Sequence, residues 1–370
     1  MSAIVVWYEI SETELLQTPS LAVYPQRIRA NIERMLQFAA PPSVCPHVKT
    51  HKTPQVLKLY DEFGIKQFKC ATISELEMVA ASNAEYALLA MQPVGPAAQR
   101  IAQLSLTFPG VNVATIVDNA STLNEIANVV SESGAKLEVL LDIDNGMHRT
   151  GIPCNDSARD LYELIVSTKG VEPGGLHVYD GHIHDSDPVA REQRVEECMA
   201  SVLNFRNDLL ARGLPVPKLV TGGTPSFPAH AKHIDRTCSP GTPVFWDAGY
   251  AHHFPDLDFL PAAVLLTRVI SQLDTSLYCT DLGYKAVASE MPAPRTKFLS
   301  TKVHQEVGHS EEHLVIQVAP ECDLSVGELL YVLPWHICPT VARQKDLLVV
   351  EDHQVVDTWP ILARDRSITI

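Results

Sequence analysis

The chain has 370 residues, of which 46% are hydrophobic and 20% charged, a composition typical of a globular protein with more than one domain. Its formal net charge of −15 argues against non-specific binding to nucleic acid or to an anionic membrane, although a local nest of backbone amides could still hold a phosphorylated cofactor. No apolar run reaches the roughly 18 residues of a membrane-spanning helix, and the N-terminal segment lacks the basic region of a signal peptide. The eight cysteines form no CxxC pair, which predicts reduced thiols in a cytoplasmic protein.

Short β-rich runs alternate with amphipathic helical stretches from about residue 20 to residue 247. Ser74 and Glu77 form the pattern of a capping box directly after a predicted strand. About eight strand–helix repeats predict an α/β fold with a (β/α)8 barrel of the TIM type, whose chemistry lies at the C-terminal ends of the strands. The predicted strands are 21–24, 44–49, 68–71, 86–91, 112–117, 137–143, 175–179 and 219–221, and the predicted helices include 27–38, 74–81, 97–106, 122–130 and 195–212.

The pattern changes after about residue 243, where short strands are joined by turn-rich sequence without long helices between them. The predicted strands here are 263–271, 276–280, 313–318, 329–333, 346–351, 353–359 and 367–370, with a hairpin turn at Glu351-Asp352. We therefore expect a barrel domain over residues 18–245 and a mainly β domain formed by residues 1–17 and 246–370.

The segment PHVKTHK at residues 46–52 places two lysines and two histidines close together. A lysine amine performs carbonyl chemistry when neighbouring cations and partial burial suppress its charge. Lys49 is therefore a candidate for the amine that forms a Schiff base with an aldehyde cofactor. The alternative is a solvated basic surface.

Two further patterns follow predicted strands at the barrel mouth. Arg149 lies in LDIDNGMHRTG (141–151), where a guanidinium suits a fixed phenolate or carboxylate. The sequence TGGTPS (221–226) offers backbone amides and hydroxyls suited to a phosphate cradle, and SPGT (239–242) is a second candidate of the same kind. A loop arginine and ordinary glycine turns are the alternative interpretations.

His336 and Cys338 lie two positions apart, so on an extended segment their side chains would point the same way and could bind one metal ion. Imidazole and thiolate together favour zinc or a similar metal, and a site with only two protein ligands in view is open, as catalytic sites are. The alternative is a structural histidine beside a buried cysteine. Further candidates for acid, base or substrate contacts are His182, His184, His309 and His313.

Taken in order, these motifs resemble the D-threonine aldolase / D-serine dehydratase family, the metal-activated members of the alanine-racemase-like (fold type III) pyridoxal phosphate enzymes. The resemblance spans nearly the whole chain. The motifs that carry it are TPSL (18–21), Asn31-Ile32, PHVKTHK (46–52), MHRTG (147–151), YDGH (179–182), GGTPS (222–226), PGT (240–242), DLGYK (281–285), SEEH (310–313) and HICPT (336–340).

The resemblance implies an alanine-racemase-like barrel, a C-terminal β domain that carries the metal, and a homodimer that acts on a small D-amino acid and binds neither nucleic acid nor membrane. The cofactors would be pyridoxal 5'-phosphate and a divalent metal, zinc in preference to manganese or magnesium. Lys49 would be the Schiff-base lysine and His182 a general base, while His336 and Cys338 would bind the metal that holds the substrate's β-hydroxyl. The implied cofactor contacts, besides Lys49, are Arg149 at the phenolic oxygen, Tyr179, and Gly222, Gly223, Thr224, Gly241 and Thr242 at the phosphate.

Two positions depart from the family pattern. Cys45 stands where the family usually has an arginine before Pro-His-x-Lys. Ser239 stands where alanine racemases place an arginine before Pro-Gly, near the pyridine nitrogen. A neutral partner at Ser239 would leave that nitrogen unprotonated and the ring a weaker electron sink, so the metal would have to polarise the β-carbon more strongly.

The resemblance therefore implies a lyase for D-β-hydroxy-α-amino acids. A thiolate after the metal histidine resembles the dehydratases of the family, whereas its aldolases tend to carry Asp there. Cys338 thus favours β-elimination from a substrate such as D-serine, giving a keto acid and ammonia, over retro-aldol cleavage to glycine and an aldehyde. The other hypotheses are a racemase, which would need a second base and no metal, a non-catalytic carrier of pyridoxal phosphate, and a metal-only hydrolase.

Overall fold

The computed structural model describes residues 6–370. Short 3-10 turns at Pro41–Ser43, Val48–Thr50 and Thr242–Val244 supplement the regular elements. In chain order these elements are β1 (Ser20–Val23), α1 (Pro25–Phe38), α2 (Pro54–Glu62), β2 (Gln67–Cys70), α3 (Ile73–Ala80), β3 (Tyr86–Leu89), α4 (Pro96–Thr107), β4 (Asn112–Val117), α5 (Ala120–Ser133), β5 (Leu137–Ile143), α6 (Asp156–Ser167), β6 (Val171–Val178), α7 (Pro188–Ala211), β7 (Lys218–Thr221), α8 (Phe227–His230), β8 (Thr237–Cys238), α9 (Ala248–His253), β9 (Ala263–Gln272), β10 (Leu277–Thr280), β11 (Thr296–Phe298), β12 (Val303–His309), β13 (Leu314–Val318), β14 (Leu329–Pro334), α10 (Ile337–Val341), β15 (Asp346–Glu351) and β16 (Gln354–Pro360).

The chain divides into two compact units. The barrel unit comprises Glu33–Lys49, Pro54–Gly241 and Asp365–Ile370. The mainly β unit comprises the described residues up to Ile32 together with Thr50–Thr53 and Thr242–Arg364. In this division residues 18–32 cluster with the mainly β unit, and the domain limits of 18–245 against 1–17 plus 246–370 stay a prediction.

The barrel unit is built on a parallel sheet, which among the described residues has seven strands in the order β2-β3-β4-β5-β6-β7-β8. Single parallel bridges from Val44 to Cys238 and from His47 to Lys69 place residues 44–47 between the two edge strands and close the sheet into a barrel. Every residue of β5 is buried, because a parallel strand covered by helices outside and side chains inside has no solvated face.

Side chains fill the barrel interior, beginning with a polar cluster at the N-terminal ends of the strands. There the Glu138 carboxylate accepts hydrogen bonds from Tyr86, Asn112 and Lys218 at 2.8–3.0 Å, which satisfies a charge that burial would otherwise destabilise. An apolar layer lies among the same strands, formed by Cys45, Tyr86, Leu88, Ala114, Ile116, Leu140 and Val220. Cys45, which replaces the family's arginine, is thus an apolar core residue, and burial raises the pKa of its thiol to about 12.

The mainly β unit is built on a sheet with the order β12-β13-β10-β9-β1-β15-β16, in which β14 also pairs with β9 and β11. Its pairs are antiparallel except for β1 with β15. The β15–β16 hairpin turns at Asp352 and His353, both with positive φ, close to the predicted turn. The parallel barrel and this sheet confirm the predicted fold class.

Several predicted elements were wrong in detail. Residues 21–24 do not belong to the barrel: Leu21 pairs with Leu265 and Leu347 in the other sheet, because a short apolar run fits either sheet. Residues 44–49 form bridges and a 3-10 turn rather than a strand, since Pro46 has no N–H for a ladder. Residues 367–370 form no strand, and the sequence pattern missed β8, β11 and β12.

The cap of α3 is another correction. Thr72, not Ser74, accepts the hydrogen bond from the Glu75 amide, and Glu75 rather than Glu77 reaches back, to the Ala71 amide at 2.6 Å. Among the described residues no helix combines the length and apolar character needed to cross a membrane.

Candidate active site

Lys49 lies at the predicted C-terminal rim of the barrel, in the 3-10 turn that follows residues 44–47. It is half-buried, and its backbone amide donates to His47 Nδ1 at 3.3 Å. The charge of Lys49 acts electrostatically on Lys69, a second lysine of the barrel. Two amines therefore lie in one region of the barrel, of which the sequence pattern indicated one.

Arg149 extends from a tight turn after β5. Asp144 Oδ1 accepts from the amides of Gly146 and His148 at 3.0 Å, and these hydrogen bonds outweigh desolvation, so the pKa of Asp144 is lowered and its carboxylate stays charged. Gly151, at φ +96°, has no room for a Cβ, which would lie 2.6 Å from the Asp144 amide nitrogen. The turn holds the Arg149 guanidinium carbon 5.0 Å from the centroid of the Tyr179 ring.

Tyr179 follows β6, and its ring borders several candidate residues. A Cβ at Gly181 would come within 2.3 Å of the ring and one at Gly223 within 3.2 Å, so both glycines are needed for close approach. The ring also lies 5.5 Å from Lys69 Nζ. The structure therefore brings Arg149, Tyr179 and Gly223 together.

The glycine turn after β7 has the form of an anion cradle. Gly222 has φ +73°, and a Cβ there would lie 2.6 Å from the His230 ring. The amides of Gly223 and Gly241 donate to the hydroxyls of Ser226 and Thr224, at 3.1 and 3.2 Å. These acceptors are rotatable side chains rather than ladder carbonyls, so an anion can compete for both amides.

A buried polar network underlies this cradle, and the motifs did not indicate it. Asp180 accepts from Ser226 Oγ at 2.8 Å and pairs with His230 Nε2 at 2.7 Å, and His230 Nδ1 lies 3.2 Å from Arg236. Arg236 in turn donates to both carboxylate oxygens of Glu196 at 3.0 and 3.1 Å. Although burial opposes it, hydrogen bonding to His230 and Ser226 lowers the pKa of Asp180.

A second group of buried polar residues lies on the inward faces of β2, β5 and β6. Lys69 Nζ donates to Ser239 Oγ at 2.5 Å, and His177 Nδ1 lies 2.7 Å from Asp142 Oδ1. Desolvation lowers the pKa of His177 despite that hydrogen bond. The signal for Lys69 was available in the sequence: it is a lysine inside a predicted barrel strand, where both faces are buried.

His182 stands apart from the other candidates. Its Nε2 lies 3.6 Å from Cys198 Sγ on α7, and the ring covers Gly146. With His184, Asp185 and Arg194 it lines an open surface cavity. Within the described part of the chain no hydrogen bond links it to Lys49 or Arg149, so its role as a general base stays a prediction.

His336 and Cys338 are in hydrogen-bond contact in the mainly β unit. Their segment is not extended as predicted: His336 caps the short helix α10, which still brings the two side chains together. Burial alone would lower the pKa of His336, but Cys338 and the carboxylates of Asp247 and Glu290 raise it to about 9.

Two threonine hydroxyl groups lie near the sulfur of Cys338. Cys338 Sγ lies 3.1 Å from Thr50 Oγ1 and 3.9 Å from Thr242 Oγ1. Over residues 6–370 no group of three His, Cys, Asp or Glu side chains forms a metal site. Thr242, predicted to bind phosphate, belongs to this unit.

The fold, a parallel barrel unit with a mainly β unit, defines a known class of enzymes with an alanine-racemase-like fold. A family model described as alanine racemase, N-terminal domain, matches residues 23–247, and one described as putative serine dehydratase domain matches residues 262–350. The chain belongs to the alanine racemase N-terminal domain family, in its branch of pyridoxal phosphate-dependent lyases.

Relatives match over almost the full length. D-threonine aldolase of Arthrobacter sp. is 27% identical over 362 residues, covering 95% of this chain and 94% of the relative. D-threo-3-hydroxyaspartate dehydratase of Delftia sp. (strain HT23) is 27% identical over 371 residues, covering 93% and 97%.

Solved structures agree with this fold. The crystal structure of D-threonine aldolase from Filomicrobium marinum superposes with a TM-score of 0.85 at 24% identity, covering 95% of this chain and 96% of that one. The Delftia dehydratase superposes with a TM-score of 0.76 at 26% identity, covering 94% and 98%. Solved variants of that dehydratase include a histidine-to-alanine variant and, two positions further on, a cysteine-to-alanine variant in the metal-free form.

Proposed function

We propose that the protein is a metal- and pyridoxal phosphate-dependent lyase that eliminates water from a D-3-hydroxy-α-amino acid, with D-serine as the substrate to test first. The products are a keto acid and ammonia. The observation that carries the proposal is the contact between His336 and Cys338, a pair whose spacing matches the two positions substituted in the Delftia dehydratase.

The barrel unit fits pyridoxal phosphate. Gly222 and Gly223 leave a cradle that a Cβ would fill, and the amides of Gly223 and Gly241 have exchangeable acceptors. Buried His177 Nε2 and Thr221 Oγ1 have no hydrogen-bond partner among the described residues, as expected of groups that line a ligand site.

When bound, the cofactor supplies an electron sink for the negative charge that develops at the substrate's α-carbon. Lys49 would hold its aldehyde and accept the α-proton at Nζ, and Arg149 would orient its phenolic oxygen. Gly222, Gly223, Thr224 and Gly241 would hold its phosphate.

The donor set of the mainly β unit fits a divalent metal. Imidazole and thiolate favour zinc, with manganese and magnesium as alternatives. His336 and Cys338 would hold the ion with positions open for the substrate's β-oxygen, and the Glu290 carboxylate, 2.5 Å from His336 Nδ1, would orient the imidazole.

The second candidate is retro-aldol cleavage to glycine and an aldehyde. It is favoured by the likeness to the Filomicrobium D-threonine aldolase, whose TM-score of 0.85 exceeds the 0.76 of the dehydratase. Fold likeness at this identity does not choose between two bond cleavages at neighbouring carbons, so we give more weight to the metal-binding residues.

Product analysis distinguishes the candidates. Purified enzyme loaded with pyridoxal phosphate and zinc is given D-serine, D-threonine or D-threo-3-hydroxyaspartate. Elimination gives ammonia with pyruvate, 2-oxobutyrate or oxaloacetate, whereas retro-aldol cleavage gives glycine. Glycine as the main product from all three substrates overturns the proposal in favour of the aldolase, and interconversion of L- and D-amino acids without metal would identify a racemase.

The same preparation tests the cofactor lysine and the assembly. Lys49→Ala should abolish turnover and the visible absorbance of the bound cofactor, whereas the exposed Lys58→Ala should leave both unchanged. We also propose a homodimer, which light scattering of the eluting holoenzyme tests by mass, and a cytoplasmic location, which cell fractionation tests.

A further inference from the structure

Lys69 is a buried cation that the proposed chemistry does not yet use. Its side chain projects from β2 into the barrel, and the residue is 2% exposed. Its Nζ donates to Ser239 Oγ at 2.5 Å and lies 5.5 Å from the Tyr179 ring. An ammonium has three N–H donors, and in the described chain no carboxylate accepts a hydrogen bond from this one.

Burial of this amine is unfavourable. The pKa of Lys69 is lowered to about 8: desolvation by burial and the charge of Lys49 lower it, and Cys45, Asp180 and Asp142 oppose the shift. A lysine held in the barrel with one neutral acceptor contributes less to stability than an apolar side chain of similar size would. Buried charged groups with shifted pKa values are concentrated at functional sites.

Ser239 connects Lys69 to the cradle. Its hydroxyl accepts from Lys69 and has one proton to donate, for which the carbonyls of Thr221 and Gly222 compete at 3.0 and 2.9 Å. Because a hydroxyl that accepts from an ammonium is polarised, its own proton becomes a better donor. A third acceptor could take that proton in place of either carbonyl.

The chemistry of the cofactor identifies such an acceptor. Pyridoxal phosphate has four polar groups: the aldehyde, the phenolic oxygen, the phosphate and the ring nitrogen. The proposed function assigns the first three to Lys49, to Arg149 and to the cradle of Gly222, Gly223 and Gly241. The ring nitrogen is the group that remains, and Lys69 with Ser239 is a buried donor pair beside Tyr179 and the cradle.

We propose that Lys69 is a positioning residue that, through Ser239, gives the ring nitrogen of pyridoxal phosphate a charge-polarised hydrogen bond. This inference rests on the proposed function. Ser239 alone predicted a neutral partner for the ring nitrogen and a weak electron sink. With Lys69, that partner is a serine hydrogen-bonded to a buried cation, so the ring is a stronger electron sink.

The test compares two ligands that differ at one atom. Binding of pyridoxal phosphate and of its 1-deaza analogue, in which C–H replaces the ring nitrogen, is measured with the apoenzyme by fluorescence titration. Wild type should prefer pyridoxal phosphate by about tenfold, the size of one hydrogen bond from a charged donor system. Ser239→Ala, which removes the donor, should bring the ratio of the two dissociation constants close to one. Lys69→Met leaves a neutral serine and should lower the ratio to a value between one and that of the wild type, and the double variant should show the ratio of Ser239→Ala.

The control is Lys66→Met, which makes the same substitution three residues away at a partly exposed lysine paired with Glu85. It should keep the wild-type ratio. If Lys69→Met fails to fold, Lys69→Gln, which keeps a neutral donor to Ser239, replaces it and should lower the ratio in the same way. An unchanged ratio in folded variants overturns this inference and leaves the proposed function intact, whereas a wild-type protein that binds neither ligand overturns the proposed function itself.

Discussion

Gly222 combines a left-handed backbone conformation with a crowded position. A residue with a Cβ at this position would therefore suffer both backbone strain and steric overlap. Its φ is +73°, and a Cβ would lie 2.6 Å from the His230 ring and 2.9 Å from Ser226 Oγ. Gly213 has nearly the same φ, +77°, with nothing within 4 Å of its Cβ position. Substitutions at Gly222 and Gly213 can therefore be compared: both introduce backbone strain, but only the one at Gly222 also crowds the cradle.

Gly222→Ala should therefore lower the free energy of unfolding by about 2–4 kcal/mol and weaken binding of pyridoxal phosphate, since His230 and Ser226 must move. Gly213→Ala should cost only about 1 kcal/mol and leave cofactor binding unchanged. Urea denaturation and cofactor titration of both variants measure the difference, and equal losses would contradict a role for crowding.

The burial of Lys69 predicts how the free energy of unfolding depends on pH. Because its folded pKa is about 8 and its ordinary value 10.5, burial of the charge costs up to about 3 kcal/mol below pH 8, where both states are protonated. Between pH 8 and 10.5 the unfolded chain binds more protons, so wild-type stability rises with pH relative to a variant without the amine.

Lys69→Met apoenzyme should therefore be more stable than wild type at pH 7, by up to about 3 kcal/mol, and the gain should shrink as the pH approaches 10. Denaturant unfolding at both pH values measures it, with Lys66→Met as the control. A gain that does not change with pH would mean that the charge is not the cause.

Single residues near one another in sequence were predictable, and distant partners were not. The spacing of His336 and Cys338 indicated their contact even though the assumed backbone was wrong. The pairing of Asp180 with His230, fifty residues apart, depends on how the loops after β6 and β7 meet, which no local pattern encodes.

The elements around the cradle depend on the polar network described above. Asp180 follows β6, His230 ends α8, and Arg236 precedes β8, so their hydrogen bonds link three elements that do not pair directly with one another. Because Asp180 and His230 are almost fully buried, loss of one acceptor leaves a donor unsatisfied.

Asp180→Asn should lower the free energy of unfolding by about 2–4 kcal/mol and cofactor affinity by roughly tenfold or more, because the amide NH₂ cannot accept from Ser226 or His230. Asp235→Asn, which removes an exposed ion pair with Arg206, is the matched control and should cost less than about 1 kcal/mol. Thermal unfolding and cofactor titration measure both, and equal losses would contradict the role of the network.

Element types were predicted better than their partners. Apolar periodicity indicated the strands at 112–117 and 137–143, because these runs are long and buried. It could not assign residues 21–24 to the correct sheet, since strand pairing is decided by contacts far along the chain. The predicted N-cap of α3 was wrong by two residues. Thr72 and Ser74 are both favourable N-cap residues, and the residue at which β2 ends determines which of them caps the helix.

At the scale of the molecule, the two proposed cofactors lie in separate units. The residues proposed for pyridoxal phosphate belong to the barrel unit, except for Thr242, and the proposed metal residues belong to the mainly β unit. Each unit has its own core, so loss of one cofactor need not unfold the site of the other.

Cys338→Ala should therefore reduce bound zinc from about one ion per chain to near zero and abolish elimination, while the visible absorbance of bound pyridoxal phosphate persists. Elemental analysis and absorbance of the same sample measure both. Cys322→Ala, at another free cysteine of the same unit, should keep metal and activity. Full metal occupancy in the Cys338 variant would contradict the proposed site.

The closure of the barrel has a consequence for its motions. Among the described residues, three backbone hydrogen bonds, from Cys45 to Cys238, His47 to Pro240 and Lys69 to Pro46, join residues 44–47 to their neighbours, whereas β2 and β3 share a ladder of consecutive residue pairs. Because residues 44–47 have few backbone hydrogen bonds to their neighbours, we expect this segment to open locally in the apoprotein more readily than the β2–β3 pair does. Pyridoxal phosphate bound beside this segment should stabilise it, and slower deuterium uptake at these three amides on addition of the cofactor would report that binding.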